Sequence, residues 1–588
     1  MRKISVFCIL SALAVLSSCT HYTNPDNGPI RLNQLGFAPE QEKTATITLS
    51  DERLAVSEVF VLTENGDTIP LSSHLSPVIL NPISGKPCQL VDFSELREPG
   101  VYTLSIVRNN EITSSRFTIE PRPYKGLTRA ALRAFYHQRA SMATEEPYAE
   151  GYARSAGHPD DHVLVHASAA TDLRPEGTVI SCPGGWYDAG DYNKYIVNSG
   201  YTMGVWLMAY EMNKAYFDTL SLNIPEKGMP DMLSEAMYNI RWMMTMQDLD
   251  GGVYHKLTTP NFEKFIRPNQ CKQQRYVVMK TTAAALDFAA TMALAARVYA
   301  PYDETFCAQA TQAALRAYAW AQANPAVYYD QPKMNEQFEP AITTGAYDDF
   351  DVRDEFLWAA TELHLLTKSK EFAEEFGIRW KEFAQADYTP ATWGNVRELA
   401  MLEVMMNPYY QGWPEEFQNA ILAYLEPFID EAELVSVYKS PYGNRESDFF
   451  WGCNSEGCCW RGVECLYAYR LTGDEKYRIN AERCLNYILG QNATGFCYVT
   501  GFGAHPTSHP HHRLSYSHPK GTLPGFLAGG PNPAKQDAAT DGVKYPKNVP
   551  ADESYLDYQP SYASNEVTIN WNVTLFALSA GLDALSQP

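Results

Sequence analysis

The 588-residue chain is 45% hydrophobic and 20% charged, an ordinary folded composition that excludes large-scale disorder. Its length exceeds what one core usually fills, so two domains are expected. A net charge of −22 argues against nucleic acid or an anionic membrane face as partner, whereas 12% aromatic residues, with 37 Tyr and 11 Trp, suit a surface that stacks on sugar rings.

Residues 1–19 read as a targeting segment outside the fold. Arg2 and Lys3 precede the short apolar run Ile4–Leu16, and Leu16-Ser17-Ser18-Cys19 looks like a bacterial lipobox. Cleavage before Cys19 and acylation of its thiol would tether the mature chain in a bacterial envelope, at the outer membrane or cell surface or facing the periplasm; a soluble secreted form is the alternative. No later run is apolar and long enough to span a bilayer, so contact with a membrane is expected through the lipid alone.

Residues 20–29 read as a linker. From Ile30 to about residue 121, short strand-like runs at Ala45–Leu49, Val56–Leu62, Gln89–Phe93, Val101–Val107 and Ser115–Ile119 are punctuated by NGD at 65–67 and EPG at 98–100. That pattern predicts a small all-β, immunoglobulin-like sandwich without a catalytic constellation of its own. From residue 122 the period becomes helical. Twelve amphipathic or apolar segments are expected, opening with Lys125–Met142 and Gly200–Asn213 and closing with Pro414–Phe428, Cys458–Leu471, Glu475–Gly490 and Glu566–Leu585. Twelve helices alternating inside and outside suggest an (α/α)6 barrel over 122–588, so the chain as a whole is mainly α. Four cysteines, Cys453, Cys458, Cys459 and Cys465, cluster without the paired C-x-x-C spacing of a zinc site and read as thiols buried in helices, with a disulfide as the rival.

Three stretches carry chemistry. Cys182–Asn198, CPGGWYDAGDYNKYIVN, sets Asp188 and Asp191 three apart among glycines and aromatic rings. Two acids that close resist ionising together, which lets one serve as a base while its neighbour positions water. The same spacing also occurs in solvated turns and calcium loops. In Gly501–Ser515, His505, His509, His511, His512 and Arg513 fall in a loop broken by Pro506 and Pro510. The helical histidine pair of zinc hydrolases is missing there, and hydrogen bonding of His511 and Arg513 to sugar hydroxyls is preferred over a metal site. In Tyr555–Asn572, Asp557 and Glu566 lie among tyrosines, and Glu566 opens the last helical pattern, where an acid could simply face the helix dipole. The long irregular regions 249–280 and 495–565 are of a length usually kept for function.

These residues resemble glycoside hydrolase family 9, the inverting β-1,4-glucanases with an (α/α)6 barrel, in the subgroup with an N-terminal immunoglobulin-like domain. RLNQLGF at 31–37 and PGVY at 99–102 resemble that module; MQDLDGGVYHK at 246–256, DEFLWAATEL at 354–363 and FLAGGPN at 526–532 resemble barrel segments. The resemblance implies that Asp191 is the general base, Asp188 its partner in holding water, Glu566 the proton donor and Asp557 a supporting acid that raises the Glu566 pKa. It places the functional histidine and arginine of the PHHR signature at His511 and Arg513, with Trp186, Tyr187, Tyr562 and His512 lining the substrate. Cys497, His505 and Val573 depart from the family signatures and bear on subsite detail. The implied substrate is a β-glucan: cellulose-like, mixed-linkage or xyloglucan. No cofactor is needed for catalysis. A structural Ca2+ near Asp354 and Glu355 is implied, against a solvated acidic helix start, and a monomer is expected. Exo-acting, cellobiosidase-like cleavage, an inactive glycan-binding lipoprotein and a zinc hydrolase built on the histidine cluster are the competing readings.

Overall fold

The computed structural model describes residues 22–586 apart from 384–385, 408–413 and 541; the lipobox and Cys19 lie outside the described residues. Eight strands form a two-sheet sandwich. One sheet has the order β1 (Ile30–Arg31), β2 (Thr44–Thr48), β6 (Pro87–Asp92), β5 (Ile79–Leu80); the other runs β4 (Thr68–Pro70), β3 (Glu58–Thr63), β7 (Gly100–Arg108), β8 (Glu111–Ile119). Alternation along the strands sends Val59, Val61, Leu104 and Ile106 inward, where they pack with edge-on Phe37, Phe93 and Phe117. The β7–β8 hairpin turns through Asn109 and Asn110 at φ 53° and 65°, the left-handed pair that matches strand twist.

Twelve helices of ten residues or more follow among the described residues: α1 (Lys125–Gln138), α2 (Ile196–Met212), α3 (Asp231–Thr245), α4 (Thr282–Tyr299), α5 (Glu304–Ala323), α6 (Arg353–Thr367), α7 (Lys370–Glu382), α8 (Arg397–Met406), α9 (Pro414–Leu434), α10 (Trp460–Thr472), α11 (Glu475–Ile488) and α12 (Ile569–Leu585). The even-numbered helices form the inner ring. There α2 touches α4 and α12, α6 bridges α4 and α8, and α10 meets α12; α1, α5, α7 and α11 back them from outside. Composition explains the division. Helix α4 buries every residue but Arg297, and α12 is buried from Ile569 to Asp583, as expected of helices apolar all round, while α5 and α7 bury one stripe.

Helix α9 continues through Pro427 to Leu434, past the predicted end at Phe428. A turn over Thr392–Asn395 precedes α8, which begins at Arg397. Within the barrel unit, a small sheet orders β10 (Val179–Ile180), β9 (Val163–Val165), β13 (Tyr276–Val277), β12 (Lys256–Thr258) and β11 (Lys194–Tyr195). The sequence reading held 249–280, which carries β12 and β13, to be irregular; two- and three-residue strands leave no periodicity to detect. The cysteine cluster is buried, and all its thiols are free.

The sandwich is bonded to the barrel. Asn33 donates to Asn486 Oδ1 at 2.8 Å, the Arg483 fork holds Glu42 at 2.6 and 2.9 Å, and Thr46 donates to the Val437 carbonyl. The stretch expected as a linker is also docked: Asn24 pairs with the backbone of Tyr555 and Asp557, and Tyr22 stacks on Tyr558 at 4.8 Å.

Candidate active site

The DAGD loop leads from β10 into β11 and α2. Gly184 and Gly185 turn it at φ 85° and 76°, conformations that favour glycine. Gly190 is needed for a different reason: a Cβ there would stand 2.0 Å from the His511 carbonyl oxygen and 3.1 Å from Glu566 Oε1. At this point the loop meets the segment around His511 and the segment around Glu566. Those two pair as a parallel bridge, and the Gly190 carbonyl accepts from the Arg513 backbone N–H and Nη1 at 3.0 and 2.8 Å. Residues separated by 375 positions in sequence therefore share one carboxyl cluster.

Asp188 is fixed at both oxygens, Oδ1 by Asn198 at 2.7 Å and Oδ2 by the Tyr347 hydroxyl at 2.6 Å. Asp191 accepts at Oδ2 from Asn193, through side chain and backbone, and from the Tyr195 hydroxyl at 3.3 Å. Asn193 is held in turn by Thr258 and Thr259 on β12 and just beyond it. Burial and the charge of Asp191 push the Asp188 carboxyl up to about 8. Burial also raises Asp191, but the nearby Arg513 guanidinium and the donors on Oδ2 oppose that rise. The pair therefore keeps its negative charge on Asp191.

Glu566 does not open a helix. It lies in extended backbone (φ −72°, ψ 161°) ahead of α12, whose N-cap is Thr568, so the helix dipole does not explain it. Burial first, then the charges of Asp191 and Asp188, raise its carboxyl to about 8. Asp557 is not the acid that does this. Its oxygens accept from the backbone of Ser508 and His509, the His509 imidazole and Asn565, which locks the histidine loop one layer behind the cleft.

His511 donates from Nδ1 to the Gln559 carbonyl at 2.8 Å, which leaves Nε2 as an acceptor. Burial and Arg513 lower its pKa to about 4, so the ring is neutral. Phe265 and Tyr562 flank it edge-on at 5.0 and 5.9 Å, and Tyr562 in turn meets the exposed Trp451. Arg513 is buried with Nε committed to the Glu263 carbonyl at 2.7 Å; it braces Gly190 rather than reaching for a sugar.

Three residues expected to line the substrate are core side chains instead. Trp186 packs on Phe135 and Trp206 and donates to Glu235; Tyr187 is sealed against His158; His512 bonds Ser515 and Gln138 beneath Phe526. Each is fully or almost fully buried, so none faces a ligand in the cleft. His509, His511 and His512 each take separate partners, and among the described residues no metal-ligand group gathers in this loop.

The sequence reading missed Tyr347, Asn198 and Asn193 as holders of the acids. Tyr347 sits at φ 52°, unusual for a bulky residue, between Tyr195 and Trp393. Asn193 and Asn198 lie inside the DAGD stretch and were open to notice as amide donors; nothing marks Tyr347 beyond its place at the head of the acidic stretch YDDFDVRDE, 347–355.

A second carboxyl cluster lies at the start of α6. Asp354, Glu355 and Asp287 are buried there beside the half-buried Asp349, so this is not a solvated helix start. Both oxygens of Asp287, both of Glu355 and Oδ2 of Asp349 are buried without a hydrogen-bond partner.

Sequence comparison decides the identity of this arrangement. The model of glycosyl hydrolase family 9 matches residues 124–579, and that of the cellulase N-terminal immunoglobulin-like domain matches 26–111. The chain belongs to glycosyl hydrolase family 9. It is a glycoside hydrolase of the inverting β-1,4-glucanase family, with an (α/α)6 barrel and an N-terminal immunoglobulin-like domain. A xyloglucan-specific endo-β-1,4-glucanase of Bacteroides ovatus is 46% identical over 100% of this chain and 99% of that protein. A solved family 9 structure from Bacteroides ovatus superposes with a TM-score of 0.88 at 44% identity, covering 95% of this chain and all of the other. A thermostable endoglucanase of Alicyclobacillus acidocaldarius matches at TM-score 0.82 and 29% identity over 95% of this chain and all of that one.

Proposed function

We propose that this enzyme cuts xyloglucan internally, with Asp191 as general base, Asp188 as its partner on the water and Glu566 as general acid. The observation that carries the assignment of roles is the meeting of Glu566 with the DAGD loop across Gly190. Inverting hydrolysis needs a protonated carboxyl beside the leaving oxygen and an ionised one on the far face of the ring, with room for water between. Glu566, raised to about 8, holds its proton at neutral pH. Asp191 keeps the pair's charge and takes the proton from water as it attacks the anomeric carbon; the glycosidic bond breaks as Glu566 delivers its proton to the departing oxygen. His511 Nε2 offers an acceptor to a sugar hydroxyl, and Tyr562, Trp451, Phe265 and the exposed Phe262, whose ring also lies beside the Arg513 guanidinium, supply aromatic surface. The chemistry runs on carboxyl groups without a cofactor.

Preference for the branched glucan is supported by the near-full-length similarity to a xyloglucan-specific relative. Product profiling of the purified enzyme on xyloglucan, carboxymethyl cellulose, barley β-glucan and xylan tests it. Xyloglucan should be cleaved at least about tenfold faster, with chain length falling before small oligosaccharides accumulate. Faster cleavage of an unbranched glucan sinks the substrate assignment, and early release of disaccharide alone sinks internal cleavage.

The lipobox supports an envelope lipoprotein acylated at Cys19, which metabolic labelling with palmitate and loss of label in Cys19→Ser would check. The cluster of Asp287, Asp349, Asp354 and Glu355 fits a structural Ca2+: its buried, unpartnered donors are all hard carboxylate oxygens.

A further inference from the structure

We propose that His158, Glu263 and Cys271 form a binding site for a zinc-class divalent cation, separate from the carboxyl cluster at α6 and unused by the hydrolytic reaction. One ligand atom from each residue lies within 4.8 Å of the other two. His158 supplies the decisive observation. It is 7% exposed, its Nδ1 is engaged by the Tyr187 hydroxyl at 2.8 Å, and its Nε2 is buried without any partner. An imidazole held at one nitrogen, with the other buried and unpartnered, beside a thiol and a carboxylate, is the usual arrangement of a metal ligand and its supporting hydrogen bond.

The donor set selects the ion. One imidazole, one thiolate and one carboxylate form a borderline-soft, mixed N/S/O set that suits Zn2+ and disfavours Ca2+ or Mg2+. Three protein ligands leave the fourth tetrahedral position for water. A bound ion would draw the ligand atoms in by about 1 Å, since Zn–N and Zn–S bonds are near 2.0 and 2.3 Å. Cys271, half-buried on a loop with only a weak contact from its thiol to the Arg267 carbonyl, has the freedom to make that move. On binding, the thiol proton leaves to solvent and the thiolate takes its place on the ion. The nearest competing cation, Arg275, is already neutralised: its fork spans Asp160 at 3.1 and 3.3 Å and it donates to the Tyr192 carbonyl.

The site joins two segments that matter to the cleft. His158 precedes β9, whereas Glu263 and Cys271 belong to the excursion that carries Phe262 and Phe265. The Glu263 carbonyl is also the acceptor that fixes Arg513. A cation here would staple the aromatic wall of the cleft to the floor beneath the DAGD loop.

The test uses the full chain, loaded with ZnSO4, passed through gel filtration and analysed for metal, with Co2+ as a spectroscopic substitute. The wild type should retain about one zinc per chain, and its cobalt form should show thiolate-to-metal charge-transfer absorption. Cys271→Ser should lower zinc retention at least about tenfold and abolish that absorption, while Cys271→His, which keeps a ligand, should restore retention. Because Cys271 is only half-buried, both variants should fold, which circular dichroism checks. Wild-type retention below about a tenth of an equivalent overturns the site, as does zinc that persists undiminished in Cys271→Ser.

Discussion

The barrel buries two groups of carboxylates, and they are furnished in opposite ways. In the cleft the two aspartates have designated donors: Asn198 and Tyr347 on the two oxygens of Asp188, Asn193 and Tyr195 on Oδ2 of Asp191, with Gly190 and Arg513 between this pair and Glu566. At the start of α6 both oxygens of Asp287, both of Glu355 and Oδ2 of Asp349 are bare. Desolvation raises the pKa in both groups, but only the first sorts its members into a charged one and protonated ones. A group that must pass protons needs neutral donors that tell its acids apart. A group with bare oxygens is suited to a cation that treats them alike.

The strongest way to break the first half of this contrast is to remove the titrating atoms. Glu566→Gln and Asp191→Asn should each lower kcat by about three orders of magnitude or more, with xyloglucan-oligosaccharide binding by calorimetry unchanged within a few-fold. Wild-type turnover in either variant removes that residue from its role. Next in size is Gly190→Ala. Its added Cβ would meet the His511 carbonyl oxygen at 2.0 Å, a backbone contact that cannot swing away. The three segments must part, and a loss of about a hundredfold in kcat is expected with modest loss of stability.

How far these features were legible in the sequence follows from what each depends on. Inner helices such as α4 and α12 announce themselves because burial on all sides leaves an apolar run. The end of α9 was set one residue past Pro427, short of Leu434, although a proline is tolerated inside a helix where tertiary packing holds it. The acids were found through their motifs. Their pKa partners were not: Asp557 is near Glu566 in sequence, yet Asp191, hundreds of residues away ahead of the neighbouring helix α2, is the neighbour in space. Trp186, Tyr187 and His512 misled for a related reason. Positions beside a catalytic loop alternate between the cleft and the core behind it, and sequence proximity does not say which way a ring points. Tyr347 was hidden altogether, because a single strained residue in a long connection has no periodic context.

The pH profile sharpens the first cluster further. Glu566 works while protonated, so kcat/KM should fall about tenfold per unit as pH rises beyond the raised pKa of about 8. Asp191 works while ionised, so the acid limb should lie above the ordinary aspartate value of 3.8, where protonation removes the base as pH falls. An alkaline limb near the ordinary glutamate value of 4.5 would mean that the cleft does not desolvate Glu566.

The second cluster is tested by stability. If a cation neutralises the bare oxygens, chelation leaves several buried carboxylates to repel one another or to take up protons, and either outcome costs stability relative to the bound state. EDTA should therefore lower Tm by about 5 °C or more, and added Ca2+ should restore it. Kinetic constants measured well below Tm should change little, because the acids of the cleft have their own donors. Asp287→Asn separates this from simple crowding of charge. Without calcium the substitution removes repulsion and should raise Tm; with calcium it removes a ligand and should shrink the response to Ca2+. A Tm unmoved by EDTA in the wild type, together with a rise in Asp287→Asn at every calcium concentration, would mean that the cluster is settled by protons alone and that the two halves of the barrel differ less than their donors suggest.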